Sequence, residues 1–356
     1  MYAYIIPILL LLFLALAIVF KKNDIIIIHI SFIFVIVFSA LFGLRSEKSG
    51  TDTIEYIEYF QSKLQNPDGN YRFELGFEHI TSFFAIFGSD EFYIFSLTFL
   101  ILIFLLISAC RFKCNVAIFL VSFFCFLPGL DMITNGIRNT LATIISLLLL
   151  SFSNDRGTNI RTILVISTSS LIHKSTLMYS LVLIVSRIIN IERHAKSLIL
   201  FSVFLFMLAN FTHYSNLFQF LSGYTSGYGI FSKFSRYLVN SDELLSPYVK
   251  LYFFVVSLTL CLYIALNNAV LVTEKEIIMA KFSFIGLIVL SAIYFIPYSY
   301  RFMLLFYPFQ VLCVSIIISR QGLKASSCAM LSFIIGNAVI TYATNTSRAL
   351  VFLDIF

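Results

Sequence analysis

The sequence predicts an all-α, polytopic integral membrane protein with about 12 transmembrane helices and two long extracytoplasmic loops. Three observations carry that expectation. Of its 356 residues, 60% are hydrophobic and only 12% are charged, against roughly 45–50% and about 25% in soluble domains. The mean hydropathy is +0.95, which leaves too little polar surface to cover a water-soluble exterior. The apolar residues also fall in long runs separated by short charged corners, as bilayer spans do.

The chain reads as one membrane domain over residues 1–356. Candidate spans lie at 2–20, 25–44, 92–110, 115–129, 135–152, 161–173, 175–188, 197–212, 249–268, 277–296, 301–319 and 325–344. Met1 to Phe20 has no basic stretch before its apolar run and is followed by Lys21 and Lys22, so it is expected to be a first span and not a cleaved signal. Segments 115–129, 161–173 and 175–188 are short for a bilayer. Tight polar corners between such segments point to half-buried or re-entrant structure, which needs protein or water around it.

With all twelve segments spanning, the short connections gather 13 of the 24 basic residues with 5 of the 18 acidic ones. The positive-inside bias places them in the cytoplasm and both termini outside. Residues 45–91 then form a first extracytoplasmic loop, with 9 acidic and 4 basic side chains from Arg45 to Glu91. Asp52 to Leu64 reads as an amphipathic helix with Ile54, Ile57, Phe60 and Leu64 on one face, capped by Thr51 or Asp52. Asn66-Pro67-Asp68-Gly69 is a turn, and Phe77 to Phe87 is a second helix suited to the membrane interface. Residues 213–248 form the second loop, with GYTSGYG at Gly223 to Gly229 and a basic aromatic stretch containing Arg236.

Several function classes are excluded by what the sequence lacks. There is no GxxxxGK[ST] or GxGxxG sequence and no room on the cytoplasmic side for a nucleotide-binding domain. No nucleic-acid partner and no cofactor are expected. None of the six cysteines lies in a long hydrophilic loop, and Cys110 and Cys114 have no second pair to complete a zinc site. No metal site is expected.

Charged residues at membrane depth each need an explanation. Arg138, His173 with Lys174, Arg301 and Arg348 all fall at the outer ends of spans, and Arg45 closes the second span on that side. One reading is snorkelling of each side chain to the headgroups. The other is an anion site, because the guanidinium fork binds phosphate oxygens in bidentate fashion. Arg138 favours the anion site most, in a polar corner before a very apolar run; the alternative is that Asp131, seven residues before it, merely neutralises it. His173 is either a hydrogen-bonded structural residue or, beside Lys174, an anion contact. Tyr298 and Tyr300, flanking Arg301, are aromatic-belt residues or line a sugar path. Asp52, Glu74 and Glu78 are the carboxylates that could accept a proton from a hydroxyl.

Arg45 with Gly50-Thr51-Asp52 and Tyr56 resembles the opening motif of the EpsG-like family. Glu74-x-Gly76-Phe77, Ile137-Arg138-Asn139, Ile172-His173-Lys174-Ser175 and Tyr300-Arg301-Phe302 resemble its later motifs, in the same order. Asn139 stands where the family commonly has Gln, and Leu75 where it commonly has Pro. The likeness runs from about residue 40 to 310 and extends to the Wzy-type O-antigen and capsule polymerases. It implies a multi-pass protein of the bacterial inner membrane, surrounded by membrane lipids. The implied reaction joins undecaprenyl-diphosphate-linked glycan donor and acceptor on the periplasmic face, with a chain-length regulator as a further partner. On that resemblance Asp52, Glu74, Arg138, His173 and Arg301 are the expected catalytic residues. Arg45, Lys174, Tyr300, Tyr298, Arg348 and Arg236 are expected to bind substrate. The rival readings are a lipid-linked oligosaccharide flippase or other secondary transporter, which should show inverted repeats and midplane charges, and a non-enzymatic membrane scaffold.

Overall fold

A computed structural model describes residues 2–19, 24–45, 52–66, 72–153, 160–188, 190–211, 247–294, 299–322 and 324–343. Nearly all of residues 213–248 lie outside the described residues, as do Arg236, Tyr298 and Arg348.

The described chain is helical, without strands among the described residues. In order it forms α1 (Tyr2–Val19), α2 (Asp24–Gly43), α3 (Thr53–Gln65), α4 (Leu75–Ala85), α5 (Asp90–Arg111), α6 (Val116–Cys125), α7 (Leu127–Thr134) and α8 (Ile137–Phe152). Then come α9 (Ile160–Ser167), two 3₁₀ turns (Thr168–Leu171 and Lys174–Thr176), α10 (Leu177–Ser186), α11 (Ile191–Phe211) and α12 (Pro247–Leu266). The last three helices are α13 (Glu274–Ala292), α14 (Tyr300–Gln321) and α15 (Ala325–Ala343).

The architecture is a polytopic helical membrane bundle, and the described residues support fewer spans than the twelve expected. Among the described residues, five helices are long and apolar enough to cross a bilayer: α2, α5, α12, α14 and α15. The pair α6 and α7, bent by 86°, makes a sixth if taken as one span. Length is the reason for three of the missing segments. At 1.5 Å per residue, a helix needs about 20 residues to cover roughly 30 Å of hydrocarbon. Helix α8 has 16 residues, α10 has 10 and α9 has 8. α9 and α10 instead form a short apolar pair that turns back through the 3₁₀ corner at His173.

Helix α14 is the axis of the bundle. Every residue from Met303 to Ile318 is buried, and α6, α7, α8, α12, α13 and α15 all pack on it. α5 packs against both α2 and α8.

The break between α6 and α7 shows how irregular backbone is accommodated inside the bundle. Phe126 is extended, and Pro128 follows in the first turn of α7, so the last carbonyls of α6 lose their helical donors. An unpaired carbonyl in an apolar interior is costly. Here the donors come from other helices. The Tyr307 hydroxyl donates to Phe123 O at 2.7 Å and Ser122 O at 3.2 Å. Tyr342 donates to Phe124 O at 3.0 Å, and Thr341 to Cys125 O at 3.1 Å. Gly129 lets α7 fold this tightly, since a Cβ there would sit 1.8 Å from Phe123 O.

α3 and α4 make a hairpin that lies over the start of α5. The buried face of α3 is rotated from the one expected. Ile57 and Phe60 are buried, but Ile54 and Leu64 are exposed, and Tyr56, Tyr59 and Lys63 turn inward instead. The reason is Glu78 of α4. It is 1% exposed and pairs at 3.2 Å with Lys63, itself 4% exposed. It also accepts from the Tyr59 hydroxyl and from the backbone N–H groups of Arg72 (3.0 Å) and Phe73 (2.9 Å). Phe60 stacks on Tyr93 of α5 with ring centres 4.4 Å apart.

Candidate functional site: an arginine and carboxylate cluster at one end of the bundle

The site forms where the end of α2, the starts of α3, α4, α8 and α14, and the 3₁₀ corner meet. Its floor is Arg45. Its guanidinium is buried and donates to Phe42 O (2.6 Å), Thr134 O (2.9 Å), Ile133 O (3.5 Å) and Thr53 Oγ1 (2.9 Å). It therefore caps the carbonyl ends of both α2 and α7 and ties them to the start of α3. Burial pulls this guanidinium down to about 10, still far enough above neutrality to keep it charged. Arg45 thus frames the site through backbone carbonyls.

Beyond α7 the chain turns through Asn135 and Gly136, whose N–H groups both reach Asp131 O, at 2.9 and 3.2 Å. This corner launches α8 and sets Arg138 in its first turn. The backbone N–H of Arg138 donates to the Tyr56 hydroxyl at 3.4 Å. Burial pushes the Tyr56 phenol up to about 12, so at neutral pH it keeps its proton and cannot act as a base.

The Arg138 guanidinium lies 4.3 Å over the ring of Phe73 and donates through Nη1 to Glu74 Oε2 at 2.8 Å. The other oxygen of Glu74 accepts from the Lys174 backbone N–H at 3.3 Å. Glu74, and not Asp131, is therefore the partner of Arg138. The Asp131 side chain accepts from Asn135 Nδ2 at 2.5 Å. Arg138 Nε is buried without a hydrogen-bond partner among the described residues. An orphaned guanidinium donor beside a carboxylate that uses only Nη1 is a place for one more anionic oxygen.

His173 occupies the corner between the 3₁₀ turns. The Ser175 N–H donates to its Nδ1 at 3.2 Å, while Ser175 Oγ donates to Asn139 Oδ1 at 2.8 Å. Accepting at Nδ1 leaves the ring proton of a neutral imidazole on Nε2. This link anchors the corner to α8, one residue past Arg138.

Arg301 stands in the first turn of α14, with Nε 3.5 Å from the Tyr300 hydroxyl. Its charge interacts with Asp52 and Asp131, and it also acts on Tyr56 and His173. Arg138 acts on the same Tyr56 and His173. Asp52 sits at the N-terminus of α3 and makes no capping hydrogen bond through its side chain.

The described candidates Arg45, Asp52, Glu74, Arg138, His173, Lys174, Tyr300 and Arg301 are thus gathered at one end of the bundle. One contributor is not legible in the sequence: Phe73, whose ring faces the Arg138 guanidinium. The alternative in which Asp131 neutralises Arg138 gives way to Glu74, a partner 64 positions away.

Residues 27–352 match the EpsG family. The chain belongs to the EpsG family. No curated protein and no solved structure matches it. For this EpsG-family membrane protein, the five resembling motifs fall within the matched region, and their described residues are those drawn together at the site.

Proposed function

We propose that this EpsG-family protein is a polysaccharide polymerase of the bacterial inner membrane. It would join undecaprenyl-diphosphate-linked repeat units on the extracytoplasmic face. The observation that carries the reading is the meeting of Arg138, Arg301, His173, Glu74 and Asp52 at one end of the bundle, with a buried donor of Arg138 unmatched.

In the reaction, a hydroxyl of the acceptor sugar attacks the anomeric carbon of the donor glycan. The bond from that carbon to the diphosphate oxygen breaks, and undecaprenyl diphosphate departs with the electron pair. Arg138 and Arg301 hold the two phosphates and neutralise the charge that grows on the leaving oxygen. Asp52 or Glu74 takes the hydroxyl proton. His173, with its proton on Nε2, offers a further donor to the diphosphate. Arg45 positions the set by fixing the ends of α2 and α7. A chain-length regulator is the expected protein partner.

The test is to substitute Arg138→Ala and Arg301→Ala separately in a strain that makes long-chain polymer, with membrane abundance measured alongside. Each variant is expected to reach the membrane and leave single repeat units on the lipid carrier. Polymer of undiminished length from both variants would remove the proposal.

A further inference from the structure

Glu74 faces two ways. Oε2 is on Arg138 and Oε1 accepts from the Lys174 N–H, and Glu74 and Lys174 together line an open cleft of about 400 Å³ between the start of α4 and the 3₁₀ corner. Phe73, Glu74, Leu75, Ser170, Leu171 and Lys174 line it. The two walls touch at Gly76, where a Cβ would lie 2.9 Å from Leu171 O, so the cleft's base is a close backbone contact and its shape is set by the fold.

We propose that this cleft is the acceptor-sugar subsite, holding the nucleophilic hydroxyl against Glu74 Oε1; the assignment rests on the polymerase reading. Its chemistry fits a sugar better than the alternatives. A lipid tail would cover the carboxylate and the Lys174 side chain that line the cleft and offer neither a hydrogen bond. A diphosphate would meet the Glu74 charge on the cleft side. Sugar hydroxyls donate to the carboxylate and accept from the ammonium, while the C–H faces of a pyranose pack on Phe73, Leu75 and Leu171. The volume lies near the small end of ligand sites, about 300–1,000 Å³, suited to a saccharide end and not to a polyprenyl chain.

The carboxylate then links two subsites. As the acceptor oxygen bonds to the anomeric carbon, its proton passes to Glu74, and the diphosphate leaves on the Arg138 side of the same group. Between the two carboxylates considered above, this geometry selects Glu74 as the base.

The experiment uses the full chain in lipid nanodiscs and two probes. One is the repeat-unit oligosaccharide freed from its lipid and phosphates; the other is farnesyl diphosphate, which carries no sugar. Leu171 and Leu75 are 53% and 54% exposed, so Leu171→Trp and Leu75→Trp fill the cleft from its two lips with little disturbance of packing. Each is expected to weaken oligosaccharide binding at least about tenfold, or 1.4 kcal/mol. Farnesyl diphosphate binding should stay within about twofold of wild type. Oligosaccharide binding that is absent in the wild type, or unchanged in both variants, overturns the subsite. Farnesyl diphosphate binding that ignores Arg138→Ala instead overturns the polymerase reading, so the two failures are distinguishable.

Discussion

Arg138 is held by three contacts of different kinds: a carboxylate, an aromatic face and a backbone anchor to Tyr56. Lysine reproduces the charge but neither the flat contact with Phe73 nor the forked donors. Arg138→Lys is therefore expected to lower polymer formation at least about tenfold while the protein stays folded, measured as chain length at equal membrane abundance. Glu78 was a third candidate base in the sequence, and the structure gives it a different task. Buried on Lys63 and two backbone N–H groups, it pins the α3–α4 hairpin. Removing one partner of a buried pair strands the other charge, at a cost of about 3–5 kcal/mol. Lys63→Met should lower the thermal midpoint in detergent markedly, and Lys63→Met with Glu78→Gln, which removes the stranded charge but keeps an oxygen for the Arg72 and Phe73 N–H groups, should recover part of the loss. An unshifted midpoint in the single variant would refute this role. At this scale the candidates are legible because several cationic residues from separate spans fall on the same side, beside polar and Gly-containing corners, which snorkelling alone does not require. The sequence does not disclose pairing. Glu74 meets Arg138 across 64 positions, and only the folded hairpin brings them together.

Among the elements, the α6–α7 break is the one on which the corner at Asn135 and Gly136 depends. Gly129→Ala would put a methyl group 1.8 Å from a backbone oxygen, so the bend cannot close. The expected outcome is a protein that fails to accumulate in the membrane, read by immunoblot. Tyr307→Phe is a gentler probe. It leaves Ser122 O and Phe123 O without this donor and should cost about 1–3 kcal/mol, seen as a lowered thermal midpoint. Hydropathy points to short segments and re-entrant structure here, and the 86° break fits that reading, while five or six of the twelve expected spans are long and apolar enough among the described residues. An apolar run reports burial; it does not distinguish burial in lipid from burial in protein. α14 illustrates the point: it is one of the spans, yet six other helices bury most of its length in protein. The rotated face of α3 has a similar origin. Periodicity picked Ile54 and Leu64, whereas the Lys63–Glu78 pair drew a charged side chain inward that no apolar pattern anticipates.

For the whole molecule, the charge asymmetry across the bundle makes a prediction about sidedness. The end carrying the site should face away from the cytoplasm. In a variant lacking the native cysteines, Ser89→Cys beside the α3–α4 hairpin should react with an impermeant maleimide in intact cells. Asn190→Cys, at the start of α11, should react only after permeabilisation. The reverse labelling would invert the topology and with it the extracytoplasmic reaction. The side-chain donors that close the α6–α7 break carry a consequence for biogenesis. They reside at positions 307, 341 and 342, whereas the carbonyls they satisfy are at 122–125. A ribosome delivers the acceptors 184 to 218 residues before the donors. A nascent chain thus waits with the carbonyls of this bend unmatched until its final described helix has entered the membrane.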